Sequence, residues 1–182
     1  MQYAKGMGGA RWAVTDPNGD ELMYKVEIRG IQEREWKLLK DKLTDKLLSW
    51  DTTGFPDGDY QIRVMASDIP DNPADQALST ELESDTFTID NTAPRISGLT
   101  GSRSGNSVGV RWKARDEKST VHRAEYSVNG GEWFVVQPTT RLSDSPEHEY
   151  VMSIESAGAE QTIAVRVTDE FDNQSVEKVI VR

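Results

Sequence analysis

The sequence predicts an all-β protein made of two tandem antiparallel β-sandwiches with seven strands each. One observation is an internal repeat: the segment ARWAVTD at 10–16 returns as VRWKARD at 110–116, and IRVMASD at 62–68 returns as IAVRVTD at 163–169. A repeat of about 90 to 100 residues has the size of one small sandwich. The other observation is a series of short segments that alternate apolar and polar residues and are separated by turns, a pattern typical of half-buried strands.

The boundary between the two repeats is predicted at a short polar stretch that follows a strand pattern. This stretch reads Asp90-Asn91-Thr92-Ala93-Pro94 and ends in a proline. We therefore predict one domain over 1–91 and a second over 92–182, joined by a short linker and able to fold independently.

Alternation and turn residues predict the strands of the first domain. They are expected at 10–14, 22–28, 36–39, 48–50, 60–66 and 87–89. The stretch from Glu33 to Leu48 is rich in Lys, Leu and Glu and could also form a helix. A strand is favoured there, because the second copy places an apolar run in the same position after a hairpin turn. The first strand of the usual seven is poorly marked in residues 1–9.

The second domain follows in the same order and is better marked. Its strands are predicted at 96–99, 108–114, 124–128, 133–135, 150–154, 163–167 and 179–181. Asn129-Gly130-Gly131 predicts the hairpin turn between the third and fourth of them.

Composition excludes several functions. The 182 residues include no cysteine, so disulfides, thiolate chemistry and Cys-ligated zinc are excluded. The formal charge of −10 argues against a nucleic-acid partner, which needs a basic surface. No apolar run is long enough for membrane insertion, and the first residues do not resemble a signal peptide. The chain has two histidines and none of the common catalytic motifs, so we predict that it is not an enzyme.

The five tryptophans divide into two groups. Trp12 and Trp112 occupy matching positions in the repeat and lie in register with apolar alternation, which predicts core residues. Trp36, Trp50 and Trp133 lie at the edges of strands or among polar residues, and they are the candidates for stacking on a carbohydrate ligand. The alternative is that they are ordinary surface residues, because single exposed apolar side chains are common.

The repeat motifs resemble fibronectin type III and related immunoglobulin-like modules. The resemblance rests on Trp12 and Trp112 on the second strand and on the segment DGDYQIRVMASD at 57–68, in which Tyr60 takes the position of the family's tyrosine corner. The second copy has Gln161 at that position. The linker looks like those between such modules in large secreted or surface proteins of bacteria, and the first domain looks like modules that follow a β-propeller.

The resemblance implies a non-catalytic role. We expect a structural spacer or protein-interaction module of a larger extracytoplasmic protein, secreted or in the cell envelope, whose partners are neighbouring domains of the same polypeptide, a β-propeller among them. The chain itself is expected to be an excised piece of that protein. A carbohydrate-binding accessory module is the alternative, and the protein or polysaccharide ligand is not specified by the sequence.

The geometry of such modules also predicts a calcium site. In the second domain two loops and the linker meet at one end of the sandwich, and all three carry side-chain oxygen atoms, which Ca²⁺ prefers. The candidate ligands are Asp90, Asn91, Asp116, Glu117, Asp169 and Asp172. The corresponding end of the first domain is acidic too. The alternative is that Asp and Asn simply form turns there, in which case the chain has no cofactor.

Overall fold

A computed structural model describes residues 4–155 and 159–182 of the chain, and all the regular elements in these residues are β-strands. The predicted all-β class is therefore confirmed. The described residues contain no helix that could span a membrane. The chain divides into two compact units, Met1–Ile89 and Asp90–Arg182, so the boundary lies two residues before the predicted one.

Unit 1 contains a pair of strands and a larger antiparallel sheet. The strands are β1 (Met7–Arg11), β2 (Met23–Gly30), β3 (Lys37–Leu43), β4 (Leu47–Asp51), β5 (Gly58–Ser67), β6 (Ser79–Glu83) and β7 (Phe87–Ile89). β1 pairs with β4, and the larger sheet has the order β3-β2-β5-β6, with β7 paired to the other end of β5. Along β5 the residues alternate in burial, so one face of the strand lies on the core and the other faces outward.

Unit 2 is an antiparallel sandwich of a three-stranded and a four-stranded sheet. Its strands are β8 (Arg95–Ser104), β9 (Ser107–Arg115), β10 (Val121–Val128), β11 (Trp133–Val136), β12 (Glu147–Glu155), β13 (Gln161–Asp169) and β14 (Gln174–Val181). The sheet orders are β12-β9-β8 and β11-β10-β13-β14. All seven strands predicted for this half are present, and the alternation between more and less buried residues is clearest in β9 and β13.

Each unit has its own apolar core. In unit 2 the centre of the core is Trp112, which is 2% exposed and stacks on Tyr150 with ring centroids 5.0 Å apart. Val108, Val165 and Val167 are fully buried around it. This confirms Trp112 as a core residue.

Trp12 differs from its counterpart. β1 ends at Arg11, so Trp12 lies just after the strand rather than in it, and the indole is only partly buried. It nevertheless packs against the core of unit 1 and contacts Tyr24 edge-on at 5.4 Å. The prediction that Trp12 contributes to the core is correct, but its position within a strand is wrong.

In unit 1 the strand favoured between Glu33 and Leu48 is present as β3, which pairs with β2, and its Leu39 and Leu43 pack against the core. The sequence did not predict β6, whose five residues are all exposed. A strand without a buried face lacks the alternation by which strands are predicted from sequence.

The tyrosine corner is present in unit 1. The hydroxyl of the buried Tyr60 donates a hydrogen bond to the carbonyl of Pro56 at 2.7 Å, and its ring contacts Phe55 edge-on. In unit 2 the side chains of Gln161 and Asn129 replace this contact: Asn129 Nδ2 donates to Gln161 Oε1 at 2.6 Å, and Thr162 N donates to Asn129 Oδ1. The predicted hairpin turn holds Asn129 in place, and both Asn129 and Gly130 have positive φ, as a type I′ turn requires.

Tyr60→Phe is expected to destabilise unit 1 by about 0.5 to 1.5 kcal/mol, because it removes one hydrogen bond and leaves the ring in place. Denaturant unfolding of the variant measures the change. Tyr150→Phe is the control, because the buried Tyr150 hydroxyl has no hydrogen-bond partner and its removal should not destabilise unit 2. A neutral Tyr60→Phe substitution would show that the corner hydroxyl contributes nothing.

Candidate metal centre

Three aspartates of unit 2 come together at one end of the sandwich. Asp90 precedes β8, Asp116 is the first residue after β9, and Asp169 is the last residue of β13. One carboxylate oxygen of each lies within 4.8 Å of the others. Asp90 is 5% exposed, Asp116 is 4% exposed and Asp169 is 0% exposed. We call these three residues the aspartate triad.

Backbone amides fix one oxygen of each triad carboxylate. Oδ1 of Asp90 accepts from Thr92 N at 3.1 Å, and Oδ1 of Asp116 accepts from the amides of Lys118 and Ser119 at 2.8 and 2.9 Å. Oδ1 of Asp169 accepts from the amides of Phe171 and Asn173, both at 2.8 Å. These are the local turns that aspartate forms readily, and they set the direction of each side chain.

Asn173 joins two members of the triad. Its Nδ2 donates to Asp169 Oδ2 at 2.9 Å and to the main-chain carbonyl of Asp90 at 3.0 Å, and the side chain is buried. This amide therefore ties the first residue of unit 2 to the loop after β13. Its role was not predicted, although the spacing of Asp169 and Asn173 within one turn is a signal for such a contact.

Two triad oxygens have no partner. Oδ2 of Asp90 and Oδ2 of Asp116 are buried, and neither forms a hydrogen bond. The ion pairs found among the described residues do not include any of the three aspartates. A buried carboxylate oxygen without a donor is costly, because it has lost its water without replacement.

The electrostatics of the triad oppose full ionisation. Burial raises the pKa of Asp90, the nearby Ser119 hydroxyl and the Thr92 amide oppose the rise, and the neighbouring Asp116 and Asp169 add to it. Burial also raises the pKa of Asp169, with a further contribution from Asp116. Two charges about 5 Å apart repel by roughly 3 to 4 kcal/mol at an effective dielectric constant of 20. A proton or a cation within the triad would relieve this repulsion.

Only half of the residues predicted to bind calcium belong to the triad. Glu117 is exposed and pairs with Arg115, with Glu117 Oε1 3.1 Å from Arg115 Nε. Asp172 is exposed at a positive φ of 63°, and Asn91 is partly buried beside Asp90. Glu117 and Asp172 are not among the acidic side chains that cluster in the described part of the chain.

The acidic end of unit 1 does not form a comparable cluster among the described residues. Asp68, the repeat counterpart of Asp169, accepts from Leu78 N at 2.7 Å, and Asp16, the counterpart of Asp116, accepts from Asp20 N at 2.7 Å. Asp71 accepts from Glu21 N at 2.7 Å. Asp16 therefore forms a local turn contact, whereas Asp68 and Asp71 accept from amides that lie 10 and 50 residues away in the sequence.

Arginine side chains lie against the rings of two of the candidate carbohydrate-binding tryptophans. The guanidinium of Arg29 lies 4.3 Å from the ring centroid of Trp36, and that of Arg63 lies 4.8 Å from it. The guanidinium of Arg166 lies 4.3 Å from the ring centroid of Trp133. Both rings are partly buried. These are cation–π contacts, and a sugar would compete with an arginine for the covered part of each ring.

Trp50 faces the core of unit 1. It lies opposite Gly8 on β1, where a Cβ atom would come within 2.5 Å of the indole, and it contacts Phe87 edge-on at 6.1 Å. Glycine at position 8 is what permits this close packing. Carbohydrate binding by Trp36, Trp50 or Trp133 stays a prediction.

Comparison with known proteins gives no family or curated relative: no family model matches the chain, and no curated protein matches it. Among solved structures, the chain is similar to fibronectin(III)-like modules of Clostridium thermocellum CbhA, with 16% identity, a TM-score of 0.46 and coverage of 98% of this chain and 86% of that one. It is also similar to the FN1–FN3 domains of chicken CNTN1, with 15% identity, a TM-score of 0.42 and coverage of 99% and 64%. A DUF3823 family protein from Bacteroides ovatus has 11% identity, a TM-score of 0.38 and coverage of 97% and 98%.

Proposed function

We propose that this chain is a non-catalytic structural module, two tandem sandwich units of the fibronectin III or immunoglobulin-like kind that space neighbouring domains of a larger extracytoplasmic protein. The observation that carries the proposal is the way the connecting segment is held. Between β7 and β8 only residues 90–94 intervene. The carbonyls of Asp90 and Pro94 accept hydrogen bonds from Asn173 and Ser175, and the side chains of Asp90 and Pro94 are buried in unit 2.

This arrangement suits a spacer better than a flexible tether. A flexible linker is rich in glycine and serine and forms few contacts. Here the segment after unit 1 is part of unit 2 from its first residue, so little free chain separates the two units. The location in a secreted or envelope protein, and the neighbouring β-propeller, are supported by the resemblance of the linker and first-unit motifs.

The spacer proposal predicts two units that unfold separately. Fragments 1–89 and 90–182 should each give a cooperative thermal transition by circular dichroism, because each has its own core. The whole chain, pulled in a single-molecule force experiment, should show two unfolding events that each release about 300 Å of chain. A single event of about 600 Å, or two fragments without cooperative melting, would contradict the proposal.

A further inference from the structure

We propose that the aspartate triad of unit 2 binds one calcium ion, with Asp90, Asp116 and Asp169 as its side-chain ligands. The inference concerns a binding site and goes beyond the proposed spacer function. It rests on the convergence of three buried carboxylates and, independently, on two buried oxygens within that cluster that have no hydrogen-bond partner.

The separation of the oxygens suits calcium. Calcium is bound at 2.3 to 2.6 Å, so two oxygens on the same ion lie at most about 5 Å apart. The triad oxygens lie within 4.8 Å of one another. Magnesium is held at about 2.0 to 2.1 Å in a stricter octahedron and usually keeps several waters, which makes it the weaker candidate for a site with three buried carboxylates.

The ligand chemistry also favours a hard cation. The three charged groups offer oxygen alone, and no histidine belongs to the cluster found in the described residues. Oxygen ligands select calcium, magnesium or manganese over zinc and copper. The remaining positions in a calcium shell of six to eight oxygens would be filled by water or main-chain carbonyls.

The hydrogen bonds around the triad orient the carboxylates before a cation binds. Oδ1 of each aspartate is held by backbone amides, while Oδ2 of Asp90 and Asp116 stays unpartnered inside the cluster. A cation there would neutralise charges that otherwise repel, and it would satisfy two oxygens that the protein leaves unpaired. Asp169 Oδ2 accepts one hydrogen bond from Asn173, and its second lone pair stays available to a cation.

The test uses the full chain after treatment with chelator. Calorimetry with CaCl₂ should show one site per chain, and the melting transition of unit 2 should rise by about 5 °C or more in 5 mM CaCl₂ compared with NaCl of equal ionic strength. The amide resonances of Ser119, Phe171 and Asn173 should shift on addition of CaCl₂, because these amides donate to Oδ1 of the ligand carboxylates. An equal response to MgCl₂ would overturn the assignment to calcium.

Asp116→Asn is the diagnostic variant. The asparagine Oδ1 can keep the amide contacts, and its Nδ2 can donate to Asp90 Oδ2. In the presence of chelator the variant should therefore melt at a higher temperature than the wild type. Calcium affinity should fall at least tenfold in the same variant. Loss of calcium binding together with higher stability distinguishes a ligand from a merely structural residue, and Asp90→Asn should behave in the same way.

Two neighbouring acidic residues provide matched controls. Glu117→Gln and Asp172→Asn remove one negative charge each from the same loops, but both side chains are exposed and lie outside the triad. Both variants should bind calcium within about twofold of the wild type. The proposal is overturned if the wild type gives no binding heat and no melting shift beyond that of NaCl, or if the controls lose as much affinity as Asp116→Asn.

Discussion

Trp112→Ala is expected to destabilise unit 2 by about 3 to 5 kcal/mol, the range for removal of a large aromatic residue from a core. Trp112 is 2% exposed and stacks on Tyr150 at 5.0 Å, so alanine would leave a cavity between the two sheets. Antiparallel pairing holds the surrounding strands in place, so they can collapse into that cavity only in part. Urea unfolding of the 90–182 fragment measures the loss without interference from unit 1.

Two further variants separate the possible causes. Trp112→Phe should cost far less than alanine, because it keeps a ring against Tyr150 and removes an indole NH that has no partner. Trp12→Ala in unit 1 should cost less than Trp112→Ala, because Trp12 is partly exposed before substitution. A loss below about 1 kcal/mol for Trp112→Ala would contradict the burial of this side chain.

The sequence predicted unit 2 more completely than unit 1 for a physical reason. In β9 and β13 almost every second residue is buried, so the alternation shows directly which residues face the core. β6 has no buried residue, and its place is set by its pairing with β5, a long-range contact that local pattern does not contain. Chain order alone could not show that β6 and β7 share one edge of β5.

The sequence analysis named the three aspartates that converge in unit 2, but it did not show that Glu117 and Asp172 are exposed. The approach of the two loops and the linker follows from the sandwich architecture, and Asp90, Asp116 and Asp169 do converge. Glu117 follows Asp116 in a bend, where the Asp116 carboxylate accepts from the amides of Lys118 and Ser119 while the Glu117 side chain is exposed. Which of these two side chains faces inward depends on the turn hydrogen bonds, which require the three-dimensional structure.

The arginines on the tryptophan rings also lay beyond sequence reasoning. Arg166 is brought to Trp133 by the cross-strand register in which Glu125 on β10 pairs with Arg166 on β13, next to β11. A shift of one residue would move Arg166 to the other face of the sheet. The sequence shows the residues but not this register.

Unit 1 contains a similar group of three side chains on its own sheet. Glu27 accepts from Arg63 Nη2 at 2.6 Å, and Arg63 lies on the ring of Trp36. In unit 2 Glu125 accepts from Arg166 through Nε at 2.9 Å and Nη2 at 2.7 Å. In each unit, therefore, a buried glutamate orients an arginine against a tryptophan.

Glu125→Gln is expected to destabilise unit 2 by about 2 to 3 kcal/mol. Glutamine keeps the shape but removes the charge from a side chain that is 5% exposed, and its NH₂ group replaces an oxygen that accepts from either Arg166 or Arg123. The loss should stay below the 3 to 5 kcal/mol of a fully buried pair, because Arg166 remains 26% exposed and can be partly hydrated. Urea unfolding gives the stability, and tryptophan fluorescence should change as Arg166 loosens from Trp133.

Glu149→Gln is the control in the same unit. Lys113 Nζ lies 2.5 Å from Glu149 Oε1, as close as in any buried pair, but both side chains are more than half exposed. Hydration and salt screening make such surface pairs weak, so no measurable change is expected. Equal losses in Glu125→Gln and Glu149→Gln would show that burial of Glu125 does not strengthen its ion pair.

Glu27→Gln tests the corresponding buried glutamate of unit 1, through the pH dependence of its contribution to stability. The pKa of Glu27 lies below its ordinary value of 4.5, and the largest cause is a hydrogen bond from Lys25. Burial opposes this effect, and the hydrogen bond and charge of Arg63 add to it. Because the pKa is lower in the folded state, the stabilisation is complete above about pH 4.5 and is lost as the pH falls through the folded pKa. The stability difference between wild type and Glu27→Gln, measured on fragment 1–89 by urea unfolding from pH 7 to pH 3, should therefore shrink in acid. A difference that grows or stays constant toward pH 3 would show that the Glu27 charge does not stabilise the folded state.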